Sequence, residues 1–321
     1  MTLHQTVVDG WSLGVFVEEL AVLYEAFTAG TTSPLAPLSI QYPDFAHWQR
    51  NWPSHPDMVA QLAYWREQLQ PPLAVMKLAT ARTRRAIDNL RTARREAILP
   101  ADLAEAARRF AHGEGSTLFM ALVAAFKALL HRYLGQEDLR VATNVANRNR
   151  PGTEGLIGRL TNTVILRTDL RGDPNARELL RRVRATTLAA FVHQDFPFGE
   201  LAEALASEGS AEPAALAQAM ITLQSANLRP RASAAHGLIF EEANPNMLMP
   251  LVTITSYDII LMLRESPHDL IGICVYKPAL FGARTIDRLL RDFQKVLEQM
   301  VTQPDRPISA IRVSRQKTKG R

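Results

Sequence analysis

The chain has 321 residues, 47% of them apolar and 21% charged, with a formal charge of +5. That length holds about two domains or lobes with substantial cores, and the composition is that of an ordinary globular protein. Lysine and arginine are spread along the chain rather than gathered in one arm, so the charge permits acidic partners without demanding nucleic acid.

The one cysteine, Cys274, excludes an intrachain disulfide framework and a cysteine zinc cluster, which points to a reducing compartment. No basic n-region and long apolar core open the chain. The most apolar stretch, 118–134, is interrupted by Lys127, His131 and Arg132. A soluble cytoplasmic protein without a membrane span is the expectation.

The first element follows the run Leu3-His4-Gln5-Thr6-Val7-Val8-Asp9-Gly10. Leu13, Phe16, Val17, Leu20, Leu23, Tyr24 and Phe27 recur at helical spacing, predicting an amphipathic helix over 12–27 with Ser12 as N-cap. Gly30 stops it, and a strand-to-helix corner then holds the histidine run. A Pro-rich loop leads to Tyr42-Pro43-Asp44-Phe45-Ala46-His47-Trp48-Gln49, and 57–69 reads as a short helix.

From 71 to 95 the character changes. Pro71-Pro72 breaks structure, and Arg82, Arg84, Arg85, Arg91, Arg94 and Arg95 crowd a stretch poor in large apolar residues. This is the candidate inter-lobe linker, its charge most simply a solvated face. The expected organisation is therefore 1–70, the linker 71–95, a lobe over 96–313 and a disordered basic tail, 314–321.

Beyond the linker, helices and strands alternate. Helices are expected at 100–111 and 116–134, the second apolar on most sides and hence buried. Strands follow at 139–145 and 160–168, flanking the turn Asn147-Arg148-Asn149-Arg150-Pro151-Gly152. Asp173 and Pro174 mark the start of another helix. Strand-like runs at 218–224, 238–241, 251–264 and 270–276 precede a last helix over 283–300. The fold class is α/β.

Four stretches carry a resemblance. His4-Gln5-Thr6-Val7-Val8-Asp9-Gly10 is similar to the His-His-x-x-x-Asp-Gly motif of the condensation domains of nonribosomal peptide synthetases. The 42–49 stretch resembles that family's Tyr-x-Asp-Phe-x-x-Trp-Gln block, and Ile157-Gly158-Arg159-Leu160-Thr161-Asn162-Thr163 its Ile-Gly-x-x-x-Asn-Thr block. His193-Gln194-Asp195-Phe196-Pro197-Phe198 resembles its His-Gln-Asp-x-Pro-Phe block. The four lie in the family's order, between residues 4 and 198 of the 321.

The resemblance implies a two-lobed, chloramphenicol-acetyltransferase-like pseudodimer, with most of the first lobe missing ahead of Leu3. It implies amide-bond formation between thioesters carried on the phosphopantetheine arms of carrier proteins. No cofactor or metal is bound directly, and carrier proteins and adjoining synthetase modules are the partners. Within the motif, His4, Gln5, Asp9 and Gly10 map to the catalytic stretch, and Gln5 stands where the family keeps its catalytic histidine. His4 matches the first histidine, treated as structural. Asp9 is a turn residue and a structural ion-pair partner rather than a base. Arg148 is its expected partner, because the family carries a matching arginine there. Asn162, His193 and Asp195 read as fold determinants.

An imidazole can move a proton near neutral pH, whereas a glutamine amide donates and accepts hydrogen bonds but cannot titrate. Where proton transfer is required, its loss costs about 10²–10⁴-fold in rate. The two functional expectations are therefore a condensation enzyme impaired by Gln5 and by the missing part of the first lobe, and a non-catalytic relative, either a carrier-docking module or a decayed synthetase fragment. A nucleic-acid binder is disfavoured, since aromatic residues do not interleave with the arginine run. No Gly-rich phosphate loop, histidine metal pair or nucleophile elbow occurs.

Overall fold

The computed structural model describes residues 3–52, 55–71, 76, 92–209, 216–224, 257–265 and 269–314. Its centre is helix α5 (Leu118–Leu134), in which eleven consecutive residues from Met120 to Leu130 are buried. Thr117 caps its start by accepting from the Met120 amide, and Gly135, with φ at 66°, ends it in the left-handed conformation that glycine tolerates. Around it pack α4 (Ala101–Gly113), α6 (Ala176–Val192) and the last long helix, α8 (Ala283–Thr302).

Beside this helical layer runs one mixed sheet. Its strands are β1 (Ala93–Leu99), β2 (Asp138–Val145), β3 (Asn162–Asp169), β4 (Ala219–Gln224), β5 (Ile259–Glu265) and β6 (Leu270–Tyr276), in the order β1-β6-β5-β4-β2-β3. Pairs β4–β5 and β2–β4 are parallel and the rest antiparallel. The β2–β4 ladder is held at a single partnership, Ala142 with Met220. Strand β2 is buried on both faces from Leu139 to Thr143, with Arg140 and Thr143 among the buried residues.

Three helices lie ahead of the sheet: α1 (Gly10–Thr28), α2 (Tyr42–Asn51) and α3 (Pro56–Gln68). Helix α3 joins the main core, with Met58, Trp65 and Leu69 almost fully buried. Its C-terminal carbonyls, Gln68 O and Gln70 O, accept from Arg167 on β3. Helix α7 (Phe198–Ser207) packs against α3, and the Arg66–Glu208 ion pair ties their ends.

The α/β expectation holds, and so do the long elements. Several local expectations change. Helix α1 begins at Gly10 with Asp9 as its cap, because the Asp9 carboxylate, not the Ser12 hydroxyl, accepts the free amide of the first turn. Its apolar stripe faces outward among the described residues: Leu13, Leu20, Tyr24 and Phe27 are exposed, and only Ser12 and Ala26 are buried. The cap of α6 is Asn175, while Asp173 takes a left-handed φ of 49° and accepts from the Ser309 amide and hydroxyl.

Strand β1 reaches back to Ala93, so Arg94 and Arg95, read as linker, pair with Val275 and Cys274 of β6. Ser314, read as the first tail residue, is bonded to Asp292. The strand read at 238–241, the start of the run at 251, the linker residues 72–75 and 77–91, and the tail 315–321 lie outside the described residues. No single helix among the described residues is long and apolar enough to cross a membrane.

Candidate active site

Asp9 organises the first motif. Its Oδ1 accepts from the Ser12 amide at 2.8 Å, the Ser12 hydroxyl at 2.7 Å and Arg148 Nη2 at 3.1 Å. Its Oδ2 accepts from the amides of Leu160 and Thr161 at 3.0 and 3.1 Å, and from the Thr161 hydroxyl at 3.1 Å. Burial pushes this carboxyl towards the neutral form, but the Ser12 donors, the Arg148 charge and the Leu160 amide together hold it below the ordinary carboxylate value. Asp9 is thus an ionised anchor whose oxygens are already committed, which leaves none free to act as a base.

Arg148 is the other half of the anchor, its side chain only 2% exposed. Nη1 donates to Thr153 O and Leu156 O, both at 2.7 Å, and Nη2 donates to Asp9 and to Ser12 Oγ. Burial pulls its guanidinium pKa down, against the pull of Asp9. Ser12 completes the clamp: its hydroxyl lies 2.7 Å from Gly158 O and receives the Gly158 amide at 3.1 Å. A hydroxyl has one proton, so its contacts with Asp9 and Gly158 O share that donor. Trp11 adds an indole bond to Glu154 O.

The other blocks close on the same loop. Gly158 lies so near Tyr42 that a Cβ there would overlap the ring. The Tyr42 hydroxyl donates to Arg159 O, and Phe45 packs with Leu156 and Leu160. Arg150 lies over the rings of Trp48 and Trp52, at 4.3 and 3.8 Å from their centroids, and donates to Asp195 at 2.9 Å. Asn149 donates to the other Asp195 oxygen. Asn162 donates to Gln194 O and Phe196 O and accepts from the Phe198 amide, fixing the turn before α7.

His193 makes its ring contacts elsewhere. It stacks on Tyr64 at 3.8 Å, its Nδ1 meets Ala189 O, and its carbonyl accepts from Trp65. His47 bonds Asn51 on its own helix.

His4 and Gln5 are exposed, ahead of the buried Val8. The Thr6 amide donates to His4 Nδ1 at 3.3 Å, with the Thr6 hydroxyl 2.8 Å from the same nitrogen. An amide can only donate, so Nδ1 accepts in that contact. The stretch therefore presents an exposed imidazole beside an amide that both donates and accepts. Among the described residues no three His, Cys, Asp or Glu side chains converge as metal ligands.

Two participants escaped the sequence reading. Ser12 has a bridging role masked by its helix-start position, and Arg150 was legible only as part of a polar turn. A second arginine two residues after Arg148, with tryptophans upstream, was the available signal for Arg150.

A six-stranded mixed sheet, a helical layer centred on α5 and a histidine stretch pinned through an aspartate–arginine pair define an α/β protein with its candidate site on the loop after β2. The pattern of the Condensation domain family matches residues 1–320, and the chain belongs to that family. It is 39% identical to one of the linear gramicidin synthase proteins of Brevibacillus parabrevis over 315 residues, 98% of this chain and 6% of that protein. With the malpinin synthetase of Mortierella alpina it shares 35% identity over 322 residues, 98% of this chain and 4% of that protein. The chain thus spans a small fraction of the relatives it matches.

The X-domain from teicoplanin biosynthesis superposes with a TM-score of 0.81 at 26% identity, covering 97% of this chain and 71% of that one. The first condensation domain of the CDA synthetase does so with a TM-score of 0.77 at 19% identity, over 98% and 66%, a likeness of fold. The protein is condensation-domain-like, of the nonribosomal peptide synthetase kind, with the chloramphenicol-acetyltransferase-like fold.

Proposed function

We propose that this chain forms amide bonds between a carrier-bound acyl or peptidyl thioester and a carrier-bound aminoacyl acceptor, with the proton-transfer step impaired by Gln5. The observation that supports this is a contrast within one stretch. Every bond that shapes it through Asp9 is made, while the exposed side chain at position 5 cannot titrate.

In the reaction the acceptor amine attacks the thioester carbonyl, a carbon–nitrogen bond forms, the carbon–sulfur bond breaks, and the amine proton must leave. Gln5 can orient the amine through its carbonyl and donate to the developing oxyanion through its NH₂. It cannot take the proton, which passes to solvent or to the departing thiolate. The substrates ride on phosphopantetheine arms, so carrier proteins and neighbouring synthetase modules are the partners, and the cytoplasm is the compartment.

The test is condensation between acyl- and aminoacyl-carrier proteins, followed by mass spectrometry of the product, for the native chain and Gln5→His. A slow native reaction raised about 10²-fold or more by the histidine supports the reading. Native turnover that the histidine does not raise overturns it. A second reading, a non-catalytic carrier-docking module, is favoured by the same missing titratable group at position 5. It predicts carrier binding with no product from either protein.

A further inference from the structure

Three of the four motif blocks contact residues 147–153 directly and the block at 157–163 joins them through Asp9 and Ser12, so that the bonds form one continuous path. Its outer end is Arg150, packed against the edge-to-face pair of Trp48 and Trp52 and bonded to Asp195. The carbonyl of Arg150 accepts twice from Thr153, from its amide at 3.1 Å and its hydroxyl at 2.6 Å. Thr153 is 2% exposed, and its own carbonyl receives Arg148 Nη1 at 2.7 Å. The other arm of the same guanidinium holds Asp9 and Ser12. Asn147, which starts this turn, is buried with a left-handed φ of 54°, so the backbone here has little room to adjust without losing bonds.

We propose that Arg150 is a positioning residue for residues 4–12, acting through Thr153 and Arg148 although it touches none of them. A guanidinium is planar and pre-organised, so holding it at once against an indole pair and a carboxylate restrains the turn that carries it. That main chain sets the Thr153 carbonyl, and the carbonyl sets the tilt of the Arg148 fork. Helix α2 and the turn before α7 thereby govern the placement of the histidine stretch. This matters for catalysis only on the reading that residues 4–12 are the working end of the site, so the test does not use turnover.

The amides of Ser12, Leu160 and Thr161 all donate to Asp9 and report its seating. Their hydrogen exchange is to be measured in the whole chain for native protein, Arg150→Lys and Thr153→Val. Lysine keeps a charge for Asp195 but lacks the stacking plane, and valine removes only the hydroxyl link to Arg150. Both substitutions speed exchange at the three amides about threefold or more, while amides of β5 and β6 stay unchanged. In an Asp9→Asn background the Arg150 substitution adds little. Faster exchange confined to α2 and residues 193–198, with the three amides unmoved, overturns the proposal, as does full additivity with Asp9→Asn. Should Arg150→Lys loosen β5 and β6 as well, Thr153→Val alone decides between the two outcomes.

Discussion

Asp9 and Arg148, 139 positions apart, meet at 3.1 Å with side-chain exposures of 5% and 2%. Removing one partner leaves the other buried without its counter-charge, which costs about 3–5 kcal/mol. Asp9→Ala is therefore expected to lower unfolding stability by that order in urea titration at pH 7. A loss below about 1 kcal/mol would place the pair among those of no consequence.

The same pair sets an acid dependence. The folded-state pKa of Asp9 lies below its ordinary value of 3.8. Its stabilising contribution is complete above the unfolded value and is lost as pH falls through the folded one, so the window lies below about pH 4. Asp9→Asn should flatten that part of the stability–pH curve. Parallel curves for native and variant protein would contradict the assignment.

Lys127 has the opposite character. It is fully buried on α5 and donates to Leu166 O at 2.7 Å and Thr168 Oγ1 at 2.5 Å, with no carboxylate bonded to its ammonium among the described residues. Burial pushes its pKa down to about 7, against the attraction of Asp138. Between about 7 and about 10.5 the unfolded chain binds more protons here than the native one, so stability rises with pH through that window. Lys127→Met should remove this rise and, at pH 6, be neutral or stabilising by about 1–4 kcal/mol. A loss of about 2 kcal/mol at pH 6 would show that the ammonium bonds outweigh its desolvation.

Gly158 offers a steric test. A methyl group there collides with the Tyr42 ring, and the Gly158 amide and carbonyl both engage Ser12. Gly158→Ala should cost about 1–3 kcal/mol by overpacking and loosen α1 and α2 together. Thermal unfolding with exchange at both helices checks it, and an unchanged midpoint would sink the prediction.

At the other end of the chain, Gln299 holds Arg312 through both its main-chain groups, at 2.9 and 3.0 Å, and Asp292 holds Ser314 while accepting from the Tyr133 hydroxyl. Gln299→Ala should release this segment and speed trypsin cleavage after Arg312 several-fold, with the core undigested. Equal cleavage rates would contradict the clasp.

How much of this was legible in the sequence depended on whether a residue's partners were local. Helix α5 and strand β6 were readable because hydrophobic period and flanking glycine or charge state the element directly. The Asp9 cap was misplaced by three residues because Asp9, Gly10 and Ser12 all suit a helix start, and only the free amide in the fold chooses among them. The apolar face of α1 was legible, but its exposure was not, since periodicity shows that a face is apolar and not what covers it. The motif blocks named the family. The Asp9–Arg148 pair was expected through the resemblance alone and is formed at 3.1 Å, whereas the convergence on Arg150 was invisible, because contacts across long sequence separations leave no mark in spacing.

The proposed function turns on Gln5, which cannot titrate, standing in a stretch whose Asp9–Arg148 anchor is formed. The most direct measurement is the pH dependence of single-turnover condensation between carrier-bound substrates for the native chain and Gln5→His. The account predicts a variant rate that rises through an apparent pKa near the usual imidazole value of about 6.5, and exceeds the native rate about 10²-fold or more at pH 7. A native rate equal to that of the variant, with the same titration, would contradict it.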